Sequence, residues 1–143
     1  MSTFAPLHPH RFTPEDYARE ETYRLTRPPV EAATTLIPDA FRSPEFYALE
    51  QEKIFATGWV VVGCTSQVSQ PGDILVASVA GQSILVTRNK AGELRAFYNV
   101  CRHRGSQLVN EARNVKVIRC PYHSWGYDLN GNCIGTPLFE GSD

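Results

Sequence analysis

The 143-residue sequence lacks an apolar run of the roughly 20 residues that a membrane-spanning helix needs, and it lacks an excess of charge of either sign. Its 14 lysines and arginines nearly balance 15 aspartates and glutamates. Nucleic acids and anionic membranes favour basic surfaces, so we expect neither as a partner. The first residues have no apolar core and carry Glu15 and Asp16. A secretory signal or transit peptide is therefore not expected, and a cytoplasmic location is predicted.

Cysteine and histidine are also scarce, with four of each. Four cysteines in a chain of this length do not make a disulfide framework. A reducing compartment would keep them as thiols or as metal ligands, so their positions matter more than their number.

Proline is concentrated at the start, with six of the ten prolines in residues 1–42. Proline fixes φ and removes a backbone donor, which predicts an N-terminal arm that wraps on a partner surface or stays loose. Within it, Thr13 and Pro14 are typical of a helix start and predict a short helix from Pro14 to Tyr23. A stronger start at Ser43, followed by Pro44, predicts a helix over 43–57 that stops at Gly58.

From Trp59 onward, short runs rich in valine and isoleucine alternate with turn residues. This pattern predicts a mainly β domain, a small antiparallel β-sandwich over 59–138. Gly81 and Gln82 are predicted to form a two-residue hairpin turn, and Asn130-Gly131 another turn. The expected strands are WVVVG (59–63), ILVASVA (74–80), SILVTR (83–88), LRAFYNV (94–100), VKVIR (115–119) and WGYDL (125–129). We therefore expect one domain over 43–143 after an arm over 1–42.

Two short motifs carry the chemistry. Cys101-Arg102-His103 is the first, and Cys120-Pro121-Tyr122-His123 is the second, with sixteen residues between His103 and Cys120. Each places a thiolate and an imidazole within reach of one metal centre. Zinc could accept four such ligands, although zinc sites usually begin with a C-x-x-C pair. One Cys and one His from each half suit a two-iron cluster with both thiolates on one iron and both imidazoles on the other.

This pattern resembles the Rieske family. CRHRGSQL, CPYHSWGYDLNG and the upstream SPEFYALEQEKIFATGWVVVG are similar to the N-terminal domain of the α subunit of Rieske non-haem iron oxygenases, over residues 36 to 138. The resemblance implies the Rieske fold with a cluster-binding subdomain. It also implies one [2Fe–2S] cluster on Cys101, His103, Cys120 and His123, and one-electron transfer to a catalytic mononuclear iron.

The resemblance and the residue types also suggest roles for the neighbours of the ligands. Arg104 is expected to orient its loop or to contact a carboxylate on a partner, whereas Arg102 is expected to be solvated surface charge. Gly105 and Gly126 are expected to permit close backbone approach to the cluster. Tyr122 and Trp125 are expected to cover the cluster and exclude water.

Three positions distinguish this chain from the respiratory branch of the family. Ser106 and Tyr122 stand where that branch has two further cysteines that form a disulfide, and Trp125 stands where it has a potential-raising serine. Loss of a hydrogen bond to the cluster lowers its potential, so we expect a midpoint near the lower end of the Rieske range, roughly −150 mV.

The catalytic iron of the oxygenases requires two histidines and a carboxylate. The two remaining histidines, His8 and His10, have no such carboxylate arranged with them. We therefore expect an excised or truncated Rieske domain without its catalytic domain, inactive alone.

The substrate of the full-length protein would be aromatic or a quaternary ammonium compound. A reductase or ferredoxin donor, the catalytic domain of its own or a neighbouring subunit, and a homotrimer are the implied partners. A free-standing Rieske ferredoxin and a zinc-bound structural module are the alternatives.

Overall fold

The computed structural model describes residues 12–137, which fall into two units, one ending at Gly58 and one beginning at Trp59. His8 and His10, the first part of the predicted arm and the end of the predicted β domain lie outside the described residues. Among those described, no helix is long and apolar enough to cross a membrane. The predicted boundary between residues 42 and 43 stays a prediction.

The first unit begins with helix α1 (Pro14–Tyr17), which is shorter than predicted. Thr13 caps it, because its side chain accepts from the Asp16 N–H while Asp16 accepts from the Thr13 N–H. The chain is extended at Arg19 and then forms a 3-10 turn (Glu20–Tyr23). The hydroxyls of Thr22 and Tyr23 donate to the carbonyls of Asp16 and Tyr17 at 2.6 and 2.8 Å. These side chains satisfy carbonyls that a longer helix would have used, which explains the early end.

Helix α2 (Pro44–Glu50) begins at the predicted cap, with Ser43 Oγ accepting from the Phe46 N–H at 3.2 Å. It continues as a π-helical turn (Gln51–Phe55) and ends before Gly58. A further 3-10 turn (Pro38–Phe41) precedes it. Tyr17, buried in this unit, donates to Ser43 Oγ at 3.0 Å and packs edge-on against Phe46.

The second unit opens with a 3-10 turn (Thr65–Val68) and contains two antiparallel sheets. The larger has the order β3-β2-β1-β4, from strands β1 (Asp73–Val79), β2 (Gln82–Arg88), β3 (Leu94–Tyr98) and β4 (Arg113–Asn114). The smaller has the order β5-β6-β7, from β5 (Ile118–Arg119), β6 (Gly126–Tyr127) and β7 (Cys133–Gly135). Antiparallel pairing throughout confirms the predicted class.

Several predicted β details were wrong. Residues 59–63 form no strand, because a β-strand exists only when paired and no described segment pairs with them. The hairpin turn lies one residue earlier than predicted: Val79 pairs with Gln82, and Ala80 and Gly81 take positive φ values of 48° and 74°. This is the backbone geometry of a type I′ turn. Strands β5 and β6 are shorter than expected: the Val115 N–H donates to the Gly72 carbonyl outside the smaller sheet, and the Trp125 carbonyl accepts from the Cys120 N–H.

The two sheets share one hydrophobic core, whose buried members include Ile74, Leu85, Val109, Ile118 and Leu129. Thr87 on β2 is fully buried and donates to the Leu129 carbonyl at 2.8 Å, which satisfies a polar pair inside the core. Cys101 and Cys120 belong to the same cluster of buried residues. The core therefore holds both cysteines of the predicted metal centre.

Candidate metal centre

The two cysteine–histidine motifs fold into loops closed by the same pair of backbone hydrogen bonds. In the first, the Cys101 N–H donates to the Ser106 carbonyl at 2.7 Å, and the Gly105 N–H donates back to Cys101 at 3.0 Å. In the second, the Cys120 N–H donates to the Trp125 carbonyl at 2.9 Å, and the Ser124 N–H donates back to Cys120 at 3.0 Å. The fifth residue of each loop, counting the cysteine as the first, has a positive φ: 69° at Gly105 and 61° at Ser124. The site is thus built from two copies of one loop geometry.

The thiols lie on the inner side of these loops. Cys101 and Cys120 are 2% and 3% exposed. The Tyr127 hydroxyl lies 3.2 Å from Cys101 Sγ and accepts the Arg102 backbone N–H at 3.0 Å. The other two cysteines, Cys64 and Cys133, are exposed. Burial therefore separates the predicted ligands from the remaining thiols.

The imidazoles lie together and each packs on an aromatic ring. The rings of His103 and His123 are 4.7 Å apart between centroids. Trp125 stacks on His103 at 4.8 Å with an interplanar angle of 6°, and Tyr122 stacks on His123 at 3.8 Å. Tyr122 is 59% exposed, whereas Trp125 is half-buried. The two aromatic side chains thus cover the histidine rings.

The protonation chemistry of the site suits metal binding. Burial disfavours the Cys120 thiolate, but backbone N–H donors of Tyr122 and His123 outweigh burial and hold the pKa of Cys120 below its ordinary value. Desolvation, aided by the nearby His123 and Arg104, lowers the pKa of His103. Thiolate and neutral imidazole are the forms that bind metals.

One buried nitrogen supports the same conclusion. His123 Nδ1 is buried and has no hydrogen-bond partner among the described residues. A buried polar atom without a partner is costly, and a metal ion would satisfy its lone pair. Within residues 12–137, no three His, Cys, Asp or Glu side chains converge to hold a single ion. A two-iron centre takes only two protein ligands on each iron.

Two contributors to the site were missed from the sequence. The sequence predicts Tyr127 only as part of a strand, although a tyrosine four residues after the second histidine is a visible feature. Asn99 is 4% exposed, accepts from the N–H groups of Leu108 and Val109, and donates to the Val109 carbonyl. These hydrogen bonds attach the chain beyond the first loop, at Leu108 and Val109, to Asn99, which follows strand β3 and precedes the loop.

Comparison with known families decides the class of this centre. The model of the Rieske [2Fe-2S] domain matches residues 58–141, which contain both loops. The chain belongs to the Rieske [2Fe-2S] domain family. The cofactor of this Rieske domain is one [2Fe–2S] cluster, and the alternative of a zinc-bound module finds no support. The donor chemistry and the unpartnered His123 Nδ1 fit that cluster.

Curated relatives fall into two groups. The chain is 38% identical over 120 residues to the carnitine monooxygenase oxygenase subunit of Acinetobacter baumannii, covering 83% of this chain and 30% of the relative. It is 39% identical over 104 residues to the glycine betaine monooxygenase oxygenase subunit of Chromohalobacter salexigens, covering 72% and 22%. It is 34% identical over 108 residues to the benzene 1,2-dioxygenase subunit alpha of Pseudomonas putida, covering 75% and 24%. The matches therefore span less than a third of each relative's length.

Solved structures confirm the predicted Rieske fold. The apo form of a quaternary ammonium Rieske monooxygenase superposes with a TM-score of 0.70 and 36% identity, covering 78% of this chain and 34% of that one. Naphthalene 1,2-dioxygenase from a Rhodococcus species gives a TM-score of 0.66 and 36% identity, covering 69% and 23%. Both matches support the family resemblance seen in the sequence.

Proposed function

We propose that this Rieske domain holds its cluster through Cys101, His103, Cys120 and His123 and passes single electrons to the mononuclear iron of an oxygenase. The observation that carries the proposal is the pair of matching loops, which bring two buried cysteines and two adjacent imidazoles into one site. The thiolates and neutral imidazoles of such a site supply the ligand set of a Rieske cluster.

The surrounding residues shield the imidazoles from water and set the redox potential of the cluster. Trp125 and Tyr122 cover the imidazole rings, and the Tyr127 hydroxyl lies 3.2 Å from the Cys101 sulfur, placed to donate a hydrogen bond to the thiolate. When bound, the cluster supplies one-electron redox chemistry. The histidines leave it neutral in the oxidised form, so it is easier to reduce than a four-thiolate cluster, which carries two negative charges. A midpoint of roughly −150 mV suits a donor to an oxygen-activating iron.

The proposal extends to the full-length protein. Joined to a catalytic domain, the Rieske domain would serve the hydroxylation of an aromatic or quaternary-ammonium substrate, as the names of both groups of relatives suggest. The structure of a quaternary ammonium Rieske monooxygenase is described as revealing inter-subunit electron transfer. By analogy, we propose a reductase or ferredoxin donor, a homotrimer with electron transfer to a neighbouring subunit, and a cytoplasmic location.

Reductive titration tests this function. The anaerobically purified chain, titrated with dithionite, should accept one electron per chain with a midpoint of roughly −150 mV. Incubated with carnitine, glycine betaine or benzene and a reductant, it should release no hydroxylated product. Uptake of two electrons, a midpoint above zero, or turnover by this chain alone would contradict the proposal.

A further inference from the structure

The segment that leads from β3 into the first cluster loop alternates between inward and outward side chains. Asn99 and Cys101 are buried, whereas Tyr98 and Val100 are 64% and 42% exposed and Arg102 is also exposed. This is the period of an extended chain. One side of the segment therefore carries a cluster ligand, and the other presents an aromatic, an aliphatic and a cationic side chain. We call Tyr98, Val100 and Arg102 the outward stripe.

A cavity of about 190 Å³ opens at the outward stripe. Its lining includes the three stripe residues together with Phe97, Leu108 and Tyr127, but neither cluster histidine. Because the Tyr127 hydroxyl lies 3.2 Å from Cys101 Sγ, the cavity reaches the cysteine side of the cluster. A partner bound in this cavity would be separated from the ligand Cys101 by one peptide unit, through Arg102, or by the aromatic ring of Tyr127.

The chain segment that carries the outward stripe has a net positive charge. Residues 94–127 contain six lysines and arginines but one acid, Glu111, and two of these cations are paired, Arg113 with Glu111 at 3.4 Å and Arg95 with Glu93 at 2.7 Å. Arg102 forms no ion pair with any described residue, and it is the charged residue of the cavity lining. An apolar centre beside an available cation suits a partner with an apolar contact surrounded by carboxylates.

We propose that a small, acid-rich electron-transfer protein docks on the outward stripe and reduces the cluster from the Cys101 side. The inference rests on the proposed function. In the step, the reduced donor loses one electron and the oxidised cluster gains it, with no bond made or broken. The surface near His103 and His123 then remains free for the electron acceptor. Electrons would therefore enter the cluster on the cysteine side and leave it on the histidine side.

Stopped-flow reduction by a reduced plant-type [2Fe–2S] ferredoxin tests the docking surface. Such a donor has a potential of roughly −400 mV, so electron transfer to the cluster is energetically favourable. Arg102→Glu should lower the second-order rate constant on the order of tenfold at low salt, and the difference should shrink at high salt as charges are screened. Tyr98→Ser should slow the reaction several-fold at all salt concentrations, because it removes apolar contact.

Matched variants separate this surface from the alternatives. Lys90→Glu makes the same charge change in the turn after β2 and should leave the rate within about twofold of the parent. Rates are normalised to loaded cluster, measured by dithionite reduction, so a failure of the proposed function would appear as an absent cluster. Equal rates for the Arg102 and Lys90 variants would overturn the docking proposal. So would a larger loss from Arg104→Glu, which would place the donor on the histidine side.

Discussion

The hydroxyl of Tyr127 lies 3.2 Å from Cys101 Sγ and is held there by the backbone N–H of Arg102. Burial and the neighbouring Cys101 raise the pKa of Tyr127 to about 12. The phenol therefore keeps its proton at ordinary pH and can donate a hydrogen bond to a thiolate. A donor to a cluster ligand stabilises the reduced, more negative state more than the oxidised one.

Tyr127→Phe should therefore lower the midpoint potential. A charge-assisted hydrogen bond worth about 1.4 kcal/mol corresponds to roughly 60 mV for one electron. Protein-film voltammetry measures the shift, with Tyr98→Phe as the control, because its ring lies outside the ligand contacts. An unchanged or raised potential in the Tyr127 variant would show that the hydroxyl does not donate to the ligand.

Exchanging glycine and serine between the equivalent positions of the two cluster loops should have opposite effects on stability. Gly105 and Ser124 occupy equivalent positions with φ values of 69° and 61°. A side chain in this region costs about 1 kcal/mol relative to glycine. Gly105→Ser should destabilise the domain by about that amount, whereas Ser124→Gly should be neutral or slightly stabilising. Urea unfolding of the loaded domain measures both, and equal losses from the two variants would contradict the equivalence of the loops.

Asn99 predicts a larger loss of stability. Its side chain is buried and accepts from two backbone N–H groups, those of Leu108 and Val109, beyond the first loop. Asn99→Ala leaves both without that acceptor, which should cost about 2–4 kcal/mol. Thermal unfolding measures the change. The exposed Asn110→Ala is the matched control and should change stability by less than about 0.5 kcal/mol.

The sequence indicates candidate ligands but not the contacts that support them, for physical reasons. A ligand pair needs only a spacing of two or three residues, which is visible in any sequence. The contact of Tyr127 with Cys101 spans 26 residues and depends on how the sheets pack. The same dependence explains why 59–63 is not a strand and why the polar Arg113–Asn114 strand was not predicted. The matching of Gly105 with Ser124 depends on φ, which residue type alone did not indicate.

Asp128 predicts a pH dependence of folding. Burial opposes its ionisation, but hydrogen bonds from Asn132 and Asn130 outweigh burial and hold the pKa of Asp128 below its ordinary value. A lowered folded-state pKa contributes stability above the unfolded-state value of about 4, and this contribution is lost as the pH falls through the folded-state pKa.

The free energy of unfolding should accordingly decrease between about pH 5 and pH 2, and the decrease should be smaller in Asp128→Asn. Urea unfolding across this range, on the cluster-free domain if it folds and otherwise on the loaded one, measures the slope. Glu111→Gln serves as the control. A slope in Asp128→Asn equal to that of the parent would contradict the assignment.

Chemical analysis of iron and acid-labile sulfide in cysteine variants tests the central claim most directly. The parent chain, assembled anaerobically, should contain about two irons and two sulfides, and Cys64→Ser and Cys133→Ser should contain the same. Cys101→Ser and Cys120→Ser should each contain essentially none, because either change removes a thiolate from the buried site. Zinc without sulfide in the parent, or a full iron and sulfide content in Cys101→Ser and Cys120→Ser, would contradict the account.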